Sequence, residues 1–180
     1  MKALSLLFIC LLLGCLSGCS TTSHTSTSNG GYYLDDGPES HPPANLDLVP
    51  NAVPRWEPYN RYANKPYEAL GKWYYPQTNN APYRAVGYAS WYGRRYNHHR
   101  TASGEVYNMY AMTGAHTTLP IPCYVKVTNL KNHRWVIVRI NDRGPFKDDR
   151  LIDLSYTAAY KLGILGHGTS QVLVERVFPK

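Results

Sequence analysis

Cysteine is scarce where the chain could fold. Of the four cysteines in 180 residues, Cys10, Cys15 and Cys19 crowd the N-terminus and only Cys123 stands further on. The apolar run Ala3 to Leu13 is too short to span a bilayer as a helix. Acidic residues are also outnumbered, 12 Asp and Glu against 19 Lys and Arg, for a net charge of +7. Zinc-finger spacing, a glycine-rich phosphate loop and an RNA-binding aromatic motif are all missing, which argues against nucleic acid and nucleotide partners. The adjacent His98 and His99 would point opposite ways in a strand, so they make a poor metal pair. No metal and no cofactor is expected.

What is present begins with an address. Met1-Lys2 followed by the apolar run has the form of a signal peptide, residues 1–18. It ends in Leu16-Ser17-Gly18-Cys19, which resembles the bacterial lipobox, so Cys19 is the expected lipidated N-terminus. Leu13-Gly14-Cys15 is a rival, but it would shorten the apolar run. Acyl chains contribute about 0.8 kcal/mol per buried CH₂, and more than one chain anchors stably. Position 20 is Ser rather than the Asp associated with inner-membrane retention, so an outer-membrane lipoprotein facing the periplasm is expected. With Cys10 and Cys15 lost and Cys19 acylated, no intrachain disulfide remains possible. Cys123, in a strand-like run, reads as a buried small hydrophobe.

Residues 19–64 form a Ser/Thr/Pro-rich stretch expected to be a flexible tether, largely disordered from Tyr32 to Pro58. Residues 65–84 are an aromatic arm, whose rings favour packing on the domain over binding sugars. From 85 to 178 the composition becomes that of a compact β-rich domain. Gly87 to Lys180 carries thirteen Lys and Arg against six Asp and Glu, so the basic face belongs here; in the periplasm it suits a cell-wall polymer or anionic lipid. Expected strands are Ala85–Ser90, Cys123–Asn129, Trp135–Ile140, Leu151–Leu154 and Gln171–Val177, with a turn at Asn129–His133. Two short helices are expected, around Tyr110–Ala115 and from Tyr156 to Leu162, the second capped by Ser155 and closed by Gly163. Short strands with Gly/Pro punctuation suggest a small barrel.

The stretch Arg139-Ile140-Asn141-Asp142-Arg143-Gly144-Pro145-Phe146 puts a carboxylate, an amide and two guanidiniums at the end of a buried-looking strand. Alone it fits an ion pair pinning a turn as well as a site. With Gly87-Tyr88-Ala89-Ser90-Trp91-Tyr92-Gly93 and Thr101-Ala102-Ser103-Gly104-Glu105, however, it resembles the rare lipoprotein A family of cell-envelope proteins. Ala115-His116-Thr117-Thr118-Leu119-Pro120 and Ile152-Asp153-Leu154-Ser155 fit the same pattern. The resemblance implies a mainly β protein, a six-stranded double-psi β-barrel, and for active members a lytic transglycosylase acting on peptidoglycan glycan strands. Position by position it carries over Glu105, His116 and Asp142 as catalytic. Two departures stand out. The family usually has a glycine near Asn97-His98-His99, which bears on groove shape, and often an Asn-Gly turn where this chain has Asn132-His133. Members often end in a septal peptidoglycan-binding repeat; here the barrel and lipid anchor are what is expected.

A lytic transglycosylase cuts the MurNAc–GlcNAc bond without water: the C6 hydroxyl of MurNAc attacks its own C1, giving a 1,6-anhydro end. Ordinary glycosidases need two carboxylates. With the nucleophile supplied by the substrate, Asp142 alone can be acid and then base. It must start protonated, which calls for burial or a nearby carboxylate; Glu105 is the candidate for that second charge or for stabilising the oxocarbenium-like transition state, and His116 for hydrogen-bonding a carboxylate or a substrate acetamido group. Arg139 and Arg143 either neutralise Asp142 or face outward to hold substrate. Trp91 and Tyr92 are candidates for stacking on pyranose faces, with core packing nearly as good a reading. Asp153, just before the capped helix, reads as support for the barrel floor or for residues lining the site. Cys123, His116 and Asp142 are the residue types of a thiol peptidase, but Cys123 lacks the setting that would activate it. The alternative from another class is a catalytically silent glycan-binding or scaffolding lipoprotein.

Overall fold

The computed structural model describes residues 36–147 and 149–180. The signal peptide, Cys19 and the first part of the tether lie outside the described residues. Eight strands form: β1 (Tyr67–Ala69), β2 (Lys72–Tyr74), β3 (Arg84–Tyr92), β4 (Thr113–Ala115), β5 (Cys123–Asn129), β6 (Trp135–Asp142), β7 (Arg150–Ser155) and β8 (Ser170–Val177). Six of them close a barrel in the order β3-β7-β4-β6-β5-β8. Val125 and Val127, Val136, Val138 and Ile140, Ile152 and Leu154, and Val172 and Val174 recur at every second position and are fully buried. That period of two sends one face of each strand into the barrel. Each such side chain contributes about 1.5–3 kcal/mol through burial.

Two pairings are parallel, β3 with β7 and β4 with β6, while the remaining barrel pairs are antiparallel. Three-residue β4 therefore lies between β6 and β7. Its Ala115 is in register with Asp142 on one side and Asp153 on the other. This crossing puts two carboxylates on neighbouring lines of the barrel wall.

The helix α1 (Tyr156–Leu162) forms as expected, with Ser155 accepting from the Ala158 amide at 3.3 Å and Gly163 closing it in the left-handed region. A helix over Tyr110–Ala115 does not form. The chain turns there and then enters β4, because closing the barrel requires an extended partner between β6 and β7. A Cβ on Gly114 would stand 3.1 Å from the Asp153 carbonyl oxygen, so that strand fits only as a very slim one.

Residues 36–64 are not the loose tether expected from their prolines. A 3₁₀ turn, Leu46–Leu48, buries Leu46 in the core. The Ala52 amide donates to the Ile137 carbonyl at 3.0 Å, and the Ile137 amide donates to Asn51 Oδ1 at 3.1 Å. Further on, Asn64 accepts from the Ile121 amide and donates to its carbonyl, at 2.8 and 2.7 Å. The segment is a strap along the barrel. After it, β1 and β2 make a hairpin whose Tyr67 and Tyr74 stack at 5.2 Å and lean on Phe146. Trp73 and Tyr75 of the same arm remain exposed.

Candidate active site

Asp142 ends β6 half-buried, where the strand runs out beside the Thr101–Glu105 loop. Its Oδ1 accepts two backbone amides, from Ala102 and Arg143, both at 2.8 Å. Its backbone carbonyl accepts the His116 amide at 3.1 Å. Among the described residues no hydrogen bond reaches Oδ2. One carboxylate oxygen is thus fixed and the other is available. Burial pushes the Asp142 carboxyl above the usual range; the two amides and the Arg143 charge pull it back without prevailing.

Neither arginine forms an ion pair with Asp142. Arg139 turns to the strap and the loop, meeting Glu57 at 2.7 Å and Glu105 at 2.8 Å. The guanidinium of Arg143 is spent on neutral oxygens: the carbonyls of Ala63, His116 and Leu119 and the side chain of Asn64, at 2.6–3.1 Å. It staples the strap to the loop after β4. Both arginines therefore hold partners within the protein other than Asp142, and Arg143 also lines the cleft.

Glu105 is not the second charge beside Asp142. Arg139 takes both of its oxygens and Asn141 Nδ2 donates at 3.0 Å, so its charge is balanced where it sits. What it fixes is the end of the loop that supplies the Ala102 amide. His116 is buried, and its Nδ1 accepts the amides of Thr118 and Leu119 at 3.1 and 3.0 Å. With Nδ1 accepting, the ring proton belongs on Nε2, which donates to the Tyr83 hydroxyl at 3.0 Å. Burial, aided by Arg143, brings its pKa down to about 3, so the ring is neutral at ordinary pH. It shapes the loop, with its single ring proton on Nε2 engaged by Tyr83.

Asp142 opens on a cleft of about 400 Å³ whose walls include Trp91, Tyr92, Arg143, Phe146 and Asp153. Trp91 and Tyr92 have little surface left to offer it. Both are buried, Trp91 edge-on against Tyr156 and Tyr92 stacked on Tyr107 at 4.2 Å. Core packing is their main occupation. Cys123 lies elsewhere, buried, with its thiol pushed up to about 12 by desolvation, which removes any nucleophilic role.

The lytic transglycolase family of double-psi barrels matches residues 84–174, the whole span that builds this cleft's barrel. The chain belongs to this family. It is 44% identical over 172 residues to the endolytic peptidoglycan transglycosylase RlpA of Vibrio cholerae, covering 96% of this chain and 62% of that protein. The corresponding Pseudomonas aeruginosa protein is 46% identical over 173 residues, covering 91% and 50%. That of Neisseria meningitidis serogroup A is 50% identical over 129 residues, covering 72% and 54%. The chain spans between half and under two thirds of the length of these relatives.

Against the lytic transglycolase pattern, both glycine departures fall on left-handed backbone. His98 has φ 67° and His133 has φ 60°, positions a glycine would occupy without strain. The cleft also contains a group that sequence reasoning did not assign. Asp36, from the strap, accepts the amides of Gly37 and Gly93 at 2.8 Å and of Arg95 at 3.0 Å. A Cβ on Gly93 would fall 2.0 Å from the Gly37 carbonyl oxygen, so only glycine lets the strap in. The Gly93 in the Trp-Tyr-Gly motif was the available signal. Asp153, read from sequence as support for the barrel floor or for the site, also lines the cleft.

Proposed function

We propose that this chain is a lytic transglycosylase of the cell envelope, a lyase that cuts MurNAc–GlcNAc β-1,4 bonds in peptidoglycan glycan strands and leaves 1,6-anhydro-MurNAc ends. The observation that carries this reading is Asp142: a cleft-lining carboxyl with one oxygen fixed by two amides, no cation paired to it among the described residues and a raised pKa. In the reaction the Asp142 carboxyl gives its proton to the glycosidic oxygen as the bond from that oxygen to C1 of MurNAc breaks. The C6 hydroxyl of the same sugar then bonds to C1, and its proton goes to the Asp142 carboxylate. The acid is restored and no water is consumed.

In this scheme Glu105 and His116 act as positioning residues. Glu105 holds the Thr101–Glu105 loop through Arg139 and Asn141, and His116 braces the backbone at Asp142. Cleavage inside strands is proposed because the named relatives are endolytic. The lipobox and Ser20 support removal of residues 1–18, a palmitate-type anchor on Cys19 and an outer-membrane location facing the periplasm. Mass spectrometry of the N-terminal lipopeptide tests that placement, and acylation at another residue contradicts it. The enzymatic reading is tested by digesting purified sacculi and glycan strands stripped of stem peptides. New 1,6-anhydro ends are expected from the wild type and not from Asp142→Asn. A wild type that binds sacculi but releases no anhydro product on either substrate would instead be a glycan-binding lipoprotein.

A further inference from the structure

Burial is the largest influence keeping a proton on Asp142 against two amides and an arginine. Asp153 is placed to add to it. It sits on β7, in register with Ala115 of β4, whose other neighbour is Asp142 of β6. Ala115 opposes Asp153 in regular register and Asp142 across a bulge between Gly114 and Ala115, so a single residue line separates the two carboxylates. The residue between them is alanine, too short to screen one from the other, and all three line the same cleft.

Asp153 has partners that favour its charged form against the burial that raises its pKa. The Ser90 hydroxyl, its register partner on β3, donates to Oδ1 and in turn accepts from Arg150 Nη1. Arg150 also stands 3.4 Å from Asp153 Oδ1 as an ion pair. The charged groups facing Asp153 are therefore Arg150 on its own strand, Asp142 across β4 and Asp36 from the strap, while Arg143 faces Asp142. The cation sits with Asp153 and the unpaired place with Asp142. When two carboxylates share a site, the one with the better donors ionises first and the other keeps the proton.

We propose that Asp153 is the second carboxylate of this cleft, a positioning residue whose charge, fixed by Ser90 and Arg150 and facing Asp142 across Ala115, keeps the reactive proton on Asp142. The catalytic meaning rests on the transglycosylase reading; the electrostatic coupling does not. Burial raises both groups, and Asp153 is among the influences that raise Asp142, while Glu105 is not.

The test is a ¹³C-carboxyl titration of aspartate in the full acylated chain in detergent micelles. In Asp153→Asn the Asp142 midpoint is expected to fall by about 1 pH unit, and the alkaline limb of anhydro-product formation to move down with it. A role confined to packing would lower the melting temperature and leave both midpoints where they are. If Asp153→Asn does not fold, Asp153→Ser replaces it, with the same expected fall in the Asp142 midpoint. An unmoved Asp142 midpoint in the folded variant overturns the proposal. Absence of anhydro product from the wild type would overturn the transglycosylase reading and leave the Asp142 titration to decide the coupling.

Discussion

Glu57 and Asp142 are carboxylates held against the same strand, one meeting Arg139 and the other lying three residues further on. The Arg139 guanidinium and the Tyr124 hydroxyl take Glu57 below the ordinary carboxylate range despite its burial. Asp142, also accepting two hydrogen bonds on its side chain, ends up above that range because burial prevails and its donors are neutral amides. The difference lies in where the cations go. Arg139 is spent outward on Glu57 and Glu105, and Arg143 on uncharged oxygens. A basic domain can in this way keep one carboxyl unpaired at its cleft. Structural and reactive carboxylates are distinguished here by the partner each is given, since both are partly buried.

Removing the unpaired member should have the largest effect. Asp142→Asn keeps an oxygen for the Ala102 and Arg143 amides and loses the proton, so anhydro-product formation should fall by roughly 10²–10⁴-fold. Its melting temperature should not fall, because a desolvated ionisable group has been replaced by a neutral one; a large loss of stability would assign Asp142 a structural role. Next comes the staple. Arg143→Ala strands the carbonyls of Ala63, His116 and Leu119, and urea unfolding should show a loss of about 2–4 kcal/mol. A change indistinguishable from zero would mean that water replaces the guanidinium without penalty.

On the paired side, Arg139→Met should destabilise by about 1–3 kcal/mol, discounted for the partial exposure of Glu105. Glu57's folded pKa is lowered, so its contribution is present above the ordinary carboxylate pKa and lost on acidification through the folded value. The variant should therefore show a flatter acid limb of stability, and an unchanged limb would mean that Arg139 does not hold Glu57. At neutral pH the smallest effect belongs to His116. Its folded pKa, about 3, lies below the unfolded 6.5, so the unfolded chain binds the extra proton between these values. Stability should fall with acidification through that window by at most about 1.4 kcal/mol per pH unit. His116→Asn, which retains an acceptor for the two amides, should remove this slope; a slope that persists would place its origin elsewhere.

Much of the barrel was legible because its strands alternate over seven or eight residues, as in Cys123–Asn129, and because Ser155 and Gly163 mark both ends of α1. The short strand β4 was not, since three residues carry no periodicity and their extended form is imposed by β6 and β7. The strap was misread for a related reason. Its prolines and polar residues look like a tether, while Asn51, Glu57 and Asn64 find partners 57 to 86 residues away along the chain. Asp142 was visible through its place in a motif. The arginines' directions, the neutral His116 ring and the pairing of Asp153 through Ala115 are facts of register, and no local pattern encodes them.

The central claim, that substrate and not water supplies the nucleophile to a site with one reactive carboxyl, is met most directly by digesting stripped glycan strands in ¹⁸O-labelled water. The account predicts anhydro ends carrying no label from the wild type and no product from Asp142→Asn. Labelled reducing ends from the wild type would show hydrolysis and contradict it.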